Sequence, residues 1–202
     1  MINKFLNAKH WQLFILMFGL PFALQIAVMI SMFMNIDSNG NPDQTGMLNM
    51  MKLFPIIISF YIGLFFGWFW SVGIGLQKYV STDIKMKIKK FKAFFFIPLF
   101  YILFLLLVIG NAFYGISSGS NGIVGKMLFV IVPIHLFSMF CIFYLLYFVS
   151  KTIKTIELKR SATFSDFAGE FFMIWFFPFG IWIIQPRINK IIAEKNHNTN
   201  IV

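Results

Sequence analysis

Lys85–Gly110 reads KMKIKKFKAFFFIPLFYILFLLLVIG: eight residues that carry five lysines, one alanine, then seventeen residues without a charge. The apolar run approaches the roughly 20 residues that span about 30 Å of hydrocarbon at about 1.5 Å per residue. Lysines packed against the start of such a run are the mark of a span leaving the cytoplasmic face. Working outward, Trp11–Phe33, Phe54–Ile74 and Met127–Val149 are apolar segments of comparable length.

Composition points the same way. Of 202 residues, 59% are hydrophobic and only 12% charged, with a mean hydropathy of +0.80. A soluble domain needs more polar surface than that to cover its core. The expected fold is an all-α integral membrane protein: four transmembrane helices plus a C-terminal re-entrant or interfacial helical segment. The alternative is five spans. Residues 1–202 are read as a single membrane-embedded domain.

Charge orients the zigzag. With the N-terminus (Lys4, Lys9) inside, the loop Leu76–Ala93 contributes six lysines and Ser150–Asp166 four basic residues to the same side. The opposite side receives only Lys52 and Lys126. The first segment resembles a signal peptide, but its 23 residues exceed a signal core and no small-residue cleavage site follows. A retained span and a bacterial inner (cytoplasmic) membrane are expected.

The fifth apolar stretch, Phe167–Ile184, is the ambiguous one. If it spans, Arg187, Lys190 and Lys195 fall outside; if it enters and returns, fifteen of the seventeen basic residues share the inside. Pro178 and Gly180 pair a helix breaker with a residue that permits a tight turn. Glu170 shortens the uncharged run to fourteen residues, about 21 Å of helix. Ahead of it, Thr163-Phe-Ser-Asp166 has the form of a helix start, with a hydroxyl N-cap and an acid in the first turn.

Within the spans, Ser59, Gly63, Gly67, Ser71 and Gly75 recur every fourth position of the second segment and form a shallow seam that lets another backbone approach. Packing within the chain and association between chains both use such seams. Ionisable residues inside apolar segments are His135 and Glu170, which with Pro178 and Gly180 make the candidate intramembrane polar site. For His135 the competing readings are a neutral imidazole bonded to a neighbouring helix or a functional group. For Glu170 they are a pairing with a basic residue of Lys151–Arg160 or membership of a polar pathway.

Lys85, Lys87, Lys89, Lys90 and Lys92, interleaved with Met86, Ile88 and Phe91, suit contact with anionic lipid headgroups. The loop Asp37–Asp43 alternates acids and amides, but a calcium loop needs Gly and Glu where Pro42 and Leu48 stand. Gly115–Gly125 reads as a flexible connection. Cys141 is the only cysteine, which excludes an intramolecular disulfide. No phosphate loop, zinc-protease motif or multi-cysteine set occurs, so no catalytic, metal or cofactor-binding residues are assigned.

These readings converge on a non-enzymatic membrane protein acting through helix packing and lipid or protein contacts, as a homo- or hetero-oligomer or a subunit of a larger assembly. Membrane lipids are the expected partners, and nucleic acid is not. A small channel or transporter using the broken C-terminal segment is the alternative.

Overall fold

A computed structural model describes residues 2–34, 44–117 and 124–199. The loop Asp37–Asp43 and the centre of Gly115–Gly125 lie outside the described residues. All regular structure among the described residues is helical: α1 (Ile2–Asn7), α2 (His10–Phe14), α3 (Leu20–Met34), α4 (Gln44–Gly75), α5 (Ile88–Ser117), α6 (Val124–Leu158), α7 (Phe164–Trp175) and α8 (Phe177–Thr199). Among the described residues, four stretches are long and apolar enough to cross a membrane: His10–Ser31, Pro55–Tyr79, Ile88–Ile109 and Phe129–Leu158. The chain is an all-α membrane protein.

Large apolar side chains stand on the outside of these helices, among them Phe22, Phe100, Leu107, Phe129 and Leu136. In water such a surface is untenable; in hydrocarbon it is the solvated face. Backbone satisfaction inside each helix is what membrane depth demands, and proline is accommodated locally. Pro21 illustrates this. It has no N–H to give the Met17 carbonyl and its ring presses on it; the preceding turn, Ile15–Gly19, is a π-helix whose exit is the Leu20 N–H bonded to the Ile15 carbonyl.

The helices outrun the apolar segments. α5 begins at Ile88, six residues before Phe94, and α6 continues to Leu158, nine residues past Val149. Lysine and glutamate are good helix formers, so a helix carries on through the headgroup region after hydropathy has fallen. α6 then stops at Lys159, whose φ of 53° is left-handed.

Contacts gather into two units, Met1–Ser71 with Phe172–Val202, and Val72–Phe171. In the first, α8 lies along α1 and α2. Phe177 meets Phe18, Phe65, Trp68 and Phe69, while Trp182 meets Phe14 and His10. Higher numbers on α8 pair with lower numbers on the first span, so α8 runs antiparallel to it. In the second unit α5 and α6 form an antiparallel pair. Phe91 stacks on Phe148 at 4.5 Å between ring centroids, Phe94 meets Tyr144, and Tyr101 meets His135. The basic residues before α5 and those ending α6 therefore lie at the same end of that pair.

The stretch Phe167–Ile184 is not one helix. It breaks at Phe176, between α7 and α8. Pro178 occupies the first turn of α8, where its missing N–H costs nothing. Gly180 is required sterically: a Cβ there would lie 1.8 Å from the Met173 carbonyl oxygen, which is backbone and cannot turn away. Gly63 is the opposite case, with nothing within 4 Å of a Cβ. Gly180→Ala should therefore lower the thermal unfolding midpoint in detergent, through a loss of about 2 kcal/mol or more. Gly63→Ala should leave it unchanged or raise it slightly, since alanine is the better helix former by about 1 kcal/mol.

Candidate functional site

The most connected polar group among the described residues is one that the apolar pattern does not single out. Gln185 is fully buried on α8. Its Oε1 accepts from the indole N–H of buried Trp68 at 2.9 Å. An indole nitrogen only donates, so the amide orientation is fixed by chemistry: Nε2 faces the other way. There it meets the carbonyls of Phe5 at 3.1 Å, Leu6 at 3.3 Å and Ala8 at 3.0 Å, and Asn189 Oδ1 at 3.1 Å. Asn189 Nδ2 adds a second bond to the Ala8 carbonyl at 3.1 Å. Carbonyls at a helix C-terminus have no partner in their own helix. Gln185 supplies the donors for the end of α1, sharing two N–H groups among four acceptors.

The small-residue seam is used in part. A Cβ at Gly67 would lie 2.9 Å from the Phe5 ring, so this glycine lets α1 sit against α4. Ser71 bonds back to the Gly67 carbonyl at 2.7 Å. Ser59 and Gly63 are exposed, and Gly75 ends α4. A tighter contact lies off the seam at Gly73, where a Cβ would stand 2.4 Å from the ring of fully buried Phe91.

His135 and Glu170 are not brought together. His135 is exposed on α6, and its Nδ1 lies 3.1 Å from the Tyr101 hydroxyl on α5, an interhelical hydrogen bond. Ser138 is buried while His135 is exposed, and no hydrogen bond joins them. Glu170 is buried on α7 and accepts from Lys154 at 3.2 Å, within the basic stretch Lys151–Arg160; Lys154 also lies 3.7 Å from Glu157. Lys154 reaches from α6 rather than from a loop, because α6 extends to Leu158.

The turn from α6 to α7 is built on Asp166. Its carboxylate accepts two bonds from Arg160 at 2.9 Å each, and the Thr163 N–H and hydroxyl both donate to it at 2.8 Å. Thr163 precedes the first residue of α7, so an N3 acid holds the N-cap backbone as in a capping box. These donors hold the Asp166 carboxyl well below the usual carboxylate range, the Arg160 hydrogen bond contributing most.

The five lysines divide between two conformations. Lys85 and Lys87 precede α5 outside regular structure, with the Ile88 N–H bonded to the Met86 carbonyl around Lys87, and Lys89, Lys90 and Lys92 fall in the first turns of α5. The Lys90 ammonium sits over the rings of Phe94 and Tyr144 at 5.2 and 5.1 Å, and that of Lys151 over Tyr147 at 5.9 Å. Among the described residues no carboxylate comes within salt-bridge distance of Lys85, Lys87, Lys90 or Lys151.

Two outcomes follow from this geometry. Gln185→Leu should destabilise the chain by about 3 kcal/mol and increase hydrogen exchange in α1, because carbonyls and an indole N–H lose their partners together. Trp68→Phe should cost about 1–2 kcal/mol, and the double variant less than the sum, since both remove the same bond. Asp166 has its own pH signature. A carboxylate whose folded pKa is depressed adds stability that is complete above its ordinary value of 3.8 and is lost as pH falls towards the folded value. Unfolding midpoints followed downward from pH 6 should drop more steeply for the native chain than for Asp166→Asn. No family model matches the chain, and neither a curated protein nor a solved structure matches it, so a functional reading rests on this geometry.

Proposed function

We propose that the chain is a non-enzymatic protein of a bacterial inner membrane, with its N-terminus in the cytoplasm, acting through helix packing and through lipid and protein contacts as a subunit of a larger assembly. In this reading the segment Phe167–Ile184 is re-entrant: it dips into the bilayer and returns to the cytoplasmic face. The observation that carries it is the bond from Gln185 to the carbonyls of Phe5, Leu6 and Ala8. Those residues precede the first span, which starts at His10, so Gln185 belongs to the N-terminal side. Phe177 packs on Phe18, eight residues beyond His10 and so about 12 Å down a helix crossing about 30 Å of hydrocarbon. α8 thus climbs from inside the bilayer back to the face where α1 lies. A fifth span would carry Gln185 to the other face.

The charge distribution agrees. The re-entrant reading gathers fifteen of seventeen basic residues on one side, as the bias of cytoplasmic loops requires. Lysines at the start of α5 and the end of α6 then stand in the field of anionic headgroups. A channel or transporter built on the broken segment would present freed backbone groups to a solute. The amides of Phe176, Phe179 and Gly180 are already bonded to the carbonyls of Phe172 and Phe176, which favours a packing role for the break.

Impermeant-thiol labelling of Asn200→Cys in a Cys141→Ala background tests the reading. Labelling after lysis alone is the expected result. Labelling in intact cells would put the tail outside and remove the re-entrant segment.

A further inference from the structure

A cavity of about 360 Å³ opens between the residues leading into α5 and the last turns of α6. Lys85, Lys87 and Lys90 line one wall, and Lys151, Tyr144 and Tyr147 the other. Phe148 also lines it and is stacked on fully buried Phe91, so the two helices hold the walls at a fixed separation. The charge in the cavity is uncompensated. Four lysines line the space and no carboxylate does, and the nearest acid in sequence, Asp83, is bonded by Ser81. The start of a 30-residue helix adds to the imbalance: α5 has no acid in its first turn, and its dipole is positive at that end. Lysines are unfavourable at that position unless an anion joins them.

We infer that this cavity binds a phosphomonoester, the chemistry shared by the headgroup of a phosphatidate lipid and by a soluble glycerol or sugar phosphate. The inference rests on the headgroup reading of Lys85–Lys92 and narrows it to one ligand class. A dianion matches a cavity lined by four lysines better than the single charge of a phosphodiester. Lysines act as point charges and suit a phosphate with oxygens in three directions, whereas a planar carboxylate calls for the arginine fork that is missing from the cavity. Tyr144 and Tyr147 also line the cavity, and a phenol can donate without adding charge. The space exceeds a phosphate group alone, leaving room for the alcohol that carries it. Its position suits a lipid: Lys90 and Lys151 lie just beyond the apolar runs that begin at Phe94 and end at Val149.

The test uses the purified full-length chain in neutral detergent with three probes: short-chain phosphatidic acid, short-chain phosphatidylglycerol and glycerol 3-phosphate. Retention by native mass spectrometry and the shift of the unfolding midpoint are read for the native chain, Lys90→Gln/Lys151→Gln, and the charge-matched control Lys78→Gln/Lys159→Gln. Phosphatidic acid should bind about tenfold more tightly than phosphatidylglycerol, and the cavity pair should weaken it by about tenfold while the control leaves it unchanged. Lys90→Arg/Lys151→Arg keeps the charge and should retain most of the affinity. If the glutamine pair lowers the ligand-free midpoint, Lys151→Gln alone takes its place. Glycerol 3-phosphate bound with the same dependence on Lys90 and Lys151 would support the site and make a soluble ester its source. Equal affinity for both lipids, weakened equally by cavity and control variants, would overturn the site and leave a general basic headgroup surface in place. Retention of none of the three would overturn it as well, and the side-of-membrane reading would then be judged by thiol labelling alone.

Discussion

A helix of six residues cannot hold itself together in isolation, because one turn's worth of hydrogen bonds does not offset the entropy of nucleation. α1 persists because its C-terminal carbonyls are bonded from outside, by one buried amide. The arrangement in the first unit depends on that constraint. Gln185 ties α1 to α8, Trp68 ties Gln185 to α4, and Gly67 leaves the space in which Phe5 can approach α4. Neutral donors and acceptors suit the location. A buried charge would carry a desolvation penalty of several kcal/mol (roughly, per ion), whereas an amide with both ends satisfied has no orphaned polar atom.

The fold class was legible in the sequence because hydrocarbon imposes a length and a composition on whatever crosses it. The helix start at Thr163–Asp166 and the break near Pro178 and Gly180 were legible as well, since each depends on residues adjacent in the chain, although the Thr163 hydroxyl donates to Asp166 and does not cap a helix N–H. The extents of α5 and α6 were not, because hydropathy marks where a helix meets water and says nothing of where helical hydrogen bonding stops. Glu170 could be matched to the basic stretch but not to Lys154 in particular, a choice made by the extra turns of α6.

Gln185 and Gly73 escaped the sequence for different reasons. In sequence Gln185 is a polar residue after Trp182, which reads as an exit from the membrane; its partners outside α8 lie 177 to 180 positions away and at Trp68. A buried amide and a solvated one look alike until the acceptors are known. Gly73 lies off the fourfold period that picks out Ser59 to Gly75, yet it is where Phe91 presses closest. Periodicity identifies a face of a helix, but the size of the opposing side chain decides which glycine on the helix is indispensable. Two aromatic rings, Phe5 at Gly67 and Phe91 at Gly73, divide one glycine-rich helix between two different neighbours.

The two ends of the segment from Thr163 to Asn189 are held by different physics. Its entry is ionic: Arg160 with Asp166, and Lys154 with Glu170. The more exposed of the two, Arg160–Asp166, weakens with salt and with acid. Its exit is held by neutral amides: Gln185 and Asn189 bonded to backbone carbonyls. Between the ends, Gly180 fixes the bend by excluding any side chain, which neither salt nor pH alters. Conditions that loosen the entry therefore leave the bend and the exit seated, and the packing of Phe177 against Trp68 and Phe65 is insulated from the ionic environment at the membrane surface.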